Sequence, residues 1–257
     1  MKKSLPTMLS KTSVTILTKN SQKYLKSCLE ALEHFDEVLI LDNGSSDSTL
    51  EIAQKFENTT ILEHPFLGFG PMKNYAAQMA RNDWILSIDS DEIASEELIH
   101  EISELNPSYT RAVYAFNRLN HYRGKPIRCC GWYPDRVLRL YNRTHTNFNH
   151  AMVHESLVMN PDTEKRHLRG VLLHYPFDGV AELIDKMQSY STLYAQESER
   201  KSSPTKAFFR ASFSFFRNYF LQKGFLCGHE GLLISISNAN GVFYKYMKLY
   251  EKQKGDR

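Results

Sequence analysis

No C-x-x-C pair and no zinc-finger spacing occurs among the four cysteines, Cys28, Cys129, Cys130 and Cys227. The sequence therefore suggests neither a disulfide framework nor a structural metal site, and a reducing compartment fits its cysteine usage. Apolar runs long enough to span a bilayer are also missing. The opening MKKSLPTMLSKTSV has two lysines but too few apolar residues for the apolar segment of a signal peptide. Charge of one sign is scarce: 32 Lys and Arg against 29 Asp and Glu leave a net +3, too little to argue for nucleic acid. These absences lead to the expectation of a cytoplasmic protein, peripheral on the inner face of the cytoplasmic membrane. Global disorder is excluded, because 42% of the 257 residues are hydrophobic, enough for one large domain or a domain with an appendage.

What is present is a rhythm. SVTILT reads as a buried strand, and Tyr24, Leu25, Cys28, Leu29 and Leu32 follow at helical spacing. EVLILD is a second strand, NGSSDS a turn whose serines and Asp47 cap the helix STLEIAQKF, and TTILEH a third strand. GFG and Pro71 open the helix MKNYAAQMA, WILSID is a fourth strand, and Ser95 caps EELIHEISEL. Alternating units of this length predict an α/β fold with a mostly parallel central sheet flanked by helices. From about Thr110 the pattern turns strand-like (AVYAFNRL, DRVLRLYN, GVLLHYPF), and from about Asp178 it predicts a C-terminal helical extension. The expected division is 1–110 for a nucleotide-sugar half, 111–178 for an acceptor half of the same domain, and 179–257 for a helical, membrane-associating region.

In such sheets ligands bind outside the carboxyl ends of the strands. Three polar clusters fall there: TKN, DNGSSD and DSDE. Alternation along a strand lets Asp89 and Asp91 point the same way, so their oxygens can converge on one cation. Hard oxygen ligands with open positions suit Mg²⁺ or Mn²⁺ completed by substrate phosphates. The competing reading is a solvated loop capping the next helix. A calcium loop is disfavoured, since Ala94 stands where the sharp turn needs Gly and His100 where the bidentate Glu belongs. A dinucleotide fold is disfavoured too, because the turn TKNSQKY has no glycine and GFGPMK lacks the third Gly.

The ordered set TILTKN, LILDNGSSDST, GFGPMKNYA and DWILSIDSDE resembles the nucleotide-sugar half of a family 2 glycosyltransferase. GWYPDRVLRLYNR, VHESL, LLHYPF and GFLCGHEGLL narrow the resemblance to the branch that includes lipopolysaccharide inner-core glucosyltransferases. It implies a glycosyltransferase A-type fold, a UDP-sugar donor, a Mn or Mg cation, and single displacement with inversion onto a glycolipid acceptor. Glucose is the sugar it implies, and a heptose the acceptor. Carried over by position, Thr18 and Asp42 match residues that hold base and ribose, and Lys73 lies where a cation meets the diphosphate. Asp89 and Asp91 match the metal motif, with Asp89 also near the nucleotide. Asn43 stands where many relatives carry a second Asp, which leaves open whether Asp42 or Asn43 reads the base.

Inversion needs a carboxylate that takes the acceptor's proton. Glu155 in NHAMVHESL falls where the family places that base; Asp135 in WYPDR is the other candidate, with a turn residue paired to Arg136 or Arg139 as its structural alternative. His150 and His154 are four apart, but Val158 three after Glu155 breaks the H-E-x-x-H zinc pattern. His174 either completes the metal shell, contacts diphosphate or is hydrogen-bonded structure. Arg136, Arg139 and Arg143 either bind an anionic acceptor or form a solvated strand face.

Between Lys201 and Lys223 five basic residues and seven aromatics occur with no acid. On a helical wheel Lys206, Arg210 and Arg217 share a stripe of roughly 40°, and the aromatics spread over about 160° beside it. That pattern predicts a helix lying in a membrane interface; the alternative is a helix packed on the domain with its lysines in water. A catalytically silent sugar-nucleotide or glycan-binding scaffold is the functional alternative to the enzyme.

Overall fold

The structure, a computed structural model, describes residues 7–152 and 155–255; the opening hexapeptide and His154 lie outside them. The chain forms two compact units, one of residues up to Arg118 with Asp135–His174, the other of Leu119–Pro134 with Tyr175–Arg257.

In the first unit the expected alternation is realised as β1 (Thr12–Thr18), α1 (Gln22–Glu30), β2 (Glu37–Asp42), α2 (Thr49–Ala53), β3 (Thr59–Glu63), α3 (Phe69–Met79) and β4 (Trp84–Asp89). Then come β5 (Glu92–Ala94), α4 (Glu96–Ser103), β6 (Ala112–Tyr122), β7 (Lys125–Pro126), β8 (Asp135–Asn142) and β9 (Glu164–Phe177). The sheet order is β3-β2-β1-β4-β8-β6-β9-β5, with β7 beside β6. β3, β2, β1 and β4 run parallel to one another, as expected. β8 runs antiparallel to β4 and β6, and β5 antiparallel to β9, so the whole sheet is mixed. Parallel neighbours need a crossover, and among the described residues no helix intervenes between Ala112 and Val180.

Alternation within the buried strands feeds two cores. Val14, Ile16, Val38 and Ile40 face one side with Leu25, Leu29, Leu98 and Ile102 of α1 and α4. Leu39, Leu41 and Ile85 face the other with Met72, Ala76 and Ala77 of α3. Each fully buried Leu or Ile contributes about 1.5–3 kcal/mol, so the strand ends that carry polar residues are held on a rigid frame. Ser95 caps α4 as expected, its Oγ accepting from Leu98 N–H at 3.2 Å.

The second unit contains α5 (Val180–Glu197), α6 (Pro204–Phe216) and α7 (Gly228–Gly255), with α5 and α6 both packed on α7. Ser203 caps α6 and Pro204 occupies its first position, a serine followed by proline being a helix-start pattern. Cys129 and Cys227 are joined by a disulfide. This corrects the expectation of no disulfide: the partners are 98 positions apart, so no local spacing announces them. Cysteine usage therefore no longer argues for a reducing compartment.

The packing of α6 inverts the usual order. Its buried positions are Ala207 and Ser214, followed by Asn218, while Phe208, Phe209, Phe213, Phe216 and Phe220 are each 49–66% exposed. Small residues allow α6 to approach its neighbour closely, and the aromatic rings are left outside. Leu221, Phe225 and Leu226 extend the exposed apolar surface.

Candidate active site

The three polar clusters lie side by side at the carboxyl ends of β1, β2 and β4. At the tip of β4, Asp89 is held from two sides: Arg139 donates to Oδ2 at 2.7 Å, and Lys73 lies 3.6 Å from Oδ1. Burial alone would raise the Asp89 carboxyl, but Arg139 and Lys73 outweigh it and hold the group well below the usual carboxylate range. Glu92, fully buried at the start of β5, accepts from Arg139 at 2.9 Å and Arg118 at 3.2 Å through Oε1. Its other oxygen accepts the Asp89 N–H at 3.0 Å. Beneath these acids, burial first and then the charges of Glu92, Asp91 and Asp89 push the Cys28 thiol up, which keeps it inert.

Lys73 reaches this cluster from α3, whose first turn is built for a close approach. Gly68 has φ +101°, in the region that favours glycine, and a Cβ on Gly70 would lie 2.1 Å from the Asn149 carbonyl oxygen. Without those side chains, the Phe69 and Gly70 N–H groups donate to the carbonyls of Met152 and Ala151. The chain around Ala151 and Met152 is thus fixed on α3, and Glu155 follows shortly after. Lys73 Nζ donates to Glu155 Oε1 at 2.6 Å while only 3% exposed itself, and it lies 5.2 Å over the Phe148 ring. One buried ammonium therefore joins the candidate base to the candidate donor-side acid.

Asp42 and Thr18 are brought together, but chiefly with each other. Thr18 Oγ1 and Ser45 Oγ donate to Asp42 Oδ1 at 2.8 and 2.5 Å, and the Gly44 and Ser45 amides to Oδ2 at 2.9 and 2.7 Å. Four donors fill a carboxylate's accepting positions. Burial would raise the Asp42 carboxyl, and these hydrogen bonds more than offset it, holding it below its ordinary value. Asp42 organises the turn; Asn43, half-buried, has its amide on the His64 carbonyl at 2.9 Å.

Of the remaining candidates, Asp135 is tied to Arg118 at 2.8 Å through Nε and Nη2. Arg136 is exposed on β8. Arg143 donates to the Ala77 and Ala80 carbonyls at 2.6 and 2.7 Å and pairs with Asp83, so it caps the end of α3 and is not a solvated strand residue. Sequence reasoning missed Arg118, and it treated Glu92 only as one of three neighbouring acids; the DSDE spacing was the one signal for it.

Asp91 Oδ2 and His174 Nε2 lie 3.4 Å apart because β5 pairs Glu92 with His174 on β9. One oxygen and one nitrogen donor, with Asp89 nearby, fit a divalent ion whose shell is completed by substrate oxygens. Among the described residues no group of three or more His, Cys, Asp or Glu side chains is placed to hold a metal ion by itself.

The model of glycosyl transferase family 2 matches residues 13–154. An uncharacterised glycosyltransferase of Rickettsia typhi is 30% identical over 95% of this chain and 88% of its own length. The lipopolysaccharide core biosynthesis glycosyltransferase LpsC of Rhizobium meliloti is 28% identical over 93% of this chain and 92% of its own. Among solved structures, S. aureus TarS in complex with UDP-GlcNAc is similar with a TM-score of 0.44 and 15% identity, covering 96% of this chain and 93% of that one. The strand-end site thus sits in an enzyme scaffold, and the chain belongs to glycosyltransferase family 2. Its sheet, parallel through β3, β2, β1 and β4 and flanked by helices, is the glycosyltransferase A-type fold.

Proposed function

We propose that the protein transfers a hexose, glucose in the first instance, from a UDP-sugar to a glycolipid acceptor of the lipopolysaccharide inner-core kind, with inversion at the anomeric carbon. The observation that carries this reading is Lys73, buried between Glu155 and Asp89. Glu155 is the base: Lys73 grips Oε1, and Oε2 takes the proton of the acceptor hydroxyl as its oxygen attacks the anomeric carbon. The bond to the UDP oxygen breaks, and Lys73 meets the charge that develops on the diphosphate. Asp91, His174 and Asp89 would hold a Mn or Mg ion, which supplies further neutralisation of that charge. Asn43 reads the base edge, since the Asp42 carboxylate is already satisfied by its own turn. The similarity to LpsC supports the acceptor class.

A glycolipid acceptor stays in its bilayer, so the enzyme must work at a membrane surface. No helix among the described residues is long and apolar enough to cross a membrane. The exposed phenylalanines of α6 and the absence of acids from Arg200 to His229, a stretch with six basic residues, support docking on an anionic bilayer. Each basic residue near the surface adds about 1 kcal/mol. The test is a thermal-shift panel of nucleotide sugars with and without Mn²⁺, followed by transfer to lipopolysaccharide core acceptors and determination of the product's anomeric configuration. A shift with a UDP-sugar and an inverted product are expected; a retained configuration, or a shift confined to other nucleotides, contradicts the reading.

A further inference from the structure

Two ammonium groups converge on one tyrosine ring in the second unit. The ring centroid of Tyr246 on α7 lies 5.4 Å from Lys206 Nζ of α6 and 5.4 Å from Lys245 Nζ of its own helix, and Tyr246 is buried. Lys245 also sits 4.7 Å over the ring of Tyr194 on α5, which meets Tyr246 edge to face at 6.0 Å. All three helices contribute. A ring face attracts a cation, but two half-buried ammoniums on one ring repel each other, and an anion between them would relieve that cost. No carboxylate does so: among the described residues none pairs with Lys206, Lys245 or Arg210, and Glu197, Glu199 and Glu251, the acids nearby along the chain, are exposed. The hydroxyls register the same field. Burial would raise Tyr194, yet its hydrogen bonds with Ser198 and Tyr246 and the charges of Lys245 and Arg200 hold it below its ordinary value.

The groups are held in place before any ligand arrives. Ser202 Oγ donates to the Tyr246 carbonyl at 2.6 Å, Gln253 Nε2 to the Arg200 carbonyl at 2.7 Å, and Lys206 Nζ to the Lys201 carbonyl at 2.6 Å, so the segment leading into α6 is strapped to α7. At about 100° per residue, Lys206 and Arg210 fall between the packed stripe of Ala207 and Ser214 and the exposed stripe of Phe209, Phe213 and Phe216. A helix lying in a bilayer interface sets its basic side chains at the phosphate level and its aromatics below it. Three cations suit three free oxygens, which a phosphate monoester presents and a diester does not. We propose that Lys206, Lys245 and Arg210 form a site for the phosphate monoester of a membrane-lipid headgroup, seated over the Tyr246 ring with the α6 phenylalanines in the apolar layer beside it. The proposal rests on the membrane docking proposed above and deepens it, because charge alone does not select a headgroup, whereas this site does.

The test is sedimentation of the full chain with phosphatidylcholine vesicles that contain either phosphatidic acid, a monoester, or phosphatidylglycerol, a diester, at matched zeta potential. The wild type should bind the phosphatidic acid vesicles about fivefold more tightly, the worth of one added hydrogen bond. Lys206→Gln with Lys245→Gln should abolish that preference. Arg217→Gln with Lys223→Gln, which removes two charges elsewhere, should weaken binding to both vesicles and keep it. Lys245→Gln alone, whose ammonium makes no hydrogen bond among the described residues, is the variant that keeps the fold and should lose part of the preference. Inorganic phosphate at the lipid phosphate concentration should leave the preference intact; its loss would mean that the site takes free phosphate, and would overturn the assignment to a lipid. Equal binding to both vesicles by the wild type, or a preference that survives in the folded Lys206 and Lys245 variant, overturns the inference alone. Failure to bind either vesicle overturns the membrane docking and this inference with it.

Discussion

The first unit hides its charges and the second displays its aromatics. Around β4, Asp89, Glu92, Arg139 and Lys73 are drawn into a small linked group in which Glu92, Arg139 and Lys73 are buried. On α6 the buried positions go to Ala207 and Ser214, while five phenylalanines from 208 to 220 stand outside. Burying charge is costly unless it is paired, and exposing a contiguous apolar patch is costly unless something covers it. Each unit therefore departs from the ordinary pattern of burial at the place where the proposed function needs it to.

This contrast can be broken at its strongest point first. Glu92→Ala leaves Arg118 and Arg139 without their shared carboxylate and should destabilise the protein by about 3–5 kcal/mol, read by urea unfolding; a loss under 1 kcal/mol would mean the cluster behaves as a surface ion pair. On α6 the expectation reverses. Phe213→Ser with Phe220→Ser should change unfolding stability by no more than about 0.5 kcal/mol per site, yet lower sedimentation with anionic vesicles. Charge reversal at Arg210 and Arg217 to Glu should lower that binding as well; unchanged sedimentation would return α6 to the role of a packed helix.

The smallest effect concerns Asp42. Its carboxyl titrates lower in the folded protein than in the unfolded chain, because the Ser45, Thr18 and Gly44 hydrogen bonds outweigh burial. The stability it contributes is therefore present above the unfolded value of about 3.9 and is lost as pH falls through the folded one. The stability gap between wild type and Asp42→Asn should be constant from pH 7 to pH 5 and narrow below about pH 4. A gap that widens on acidification would show that Asp42 does not organise its turn in this way.

What could be read in the sequence was whatever local pattern controls. Buried runs such as SVTILT and EVLILD gave β1 and β2 because a strand covered on both faces reads as a near-continuous apolar run, without polar alternation. Ser95 and Ser203 were legible as caps because a cap and the N–H from which it accepts lie three residues apart. Asp89, Lys73 and Glu155 could be nominated from motifs, but their meeting depends on Gly70, whose missing Cβ admits the Asn149 carbonyl, and no periodicity reports that. β5 was invisible because three residues carry no repeat, and the bulge at Arg139 because it exists only in the register of two strands. The Arg118 partner of Asp135 and the Cys129–Cys227 bond were missed for the same reason, being choices of the folded chain among distant residues.

The decisive comparison sets Glu155 against Asp135, two carboxylates each gripped by a cation but only one of them joined to Asp89 through Lys73. Sugar transfer by Glu155→Gln and by Asp135→Asn should be measured alongside UDP binding, using whichever UDP-sugar stabilises the wild type most. The account predicts a loss of about 10²–10⁴ in transfer for Glu155→Gln, with UDP binding retained, and a change below about tenfold for Asp135→Asn. Full transfer by Glu155→Gln, or the larger loss at Asp135, would contradict it.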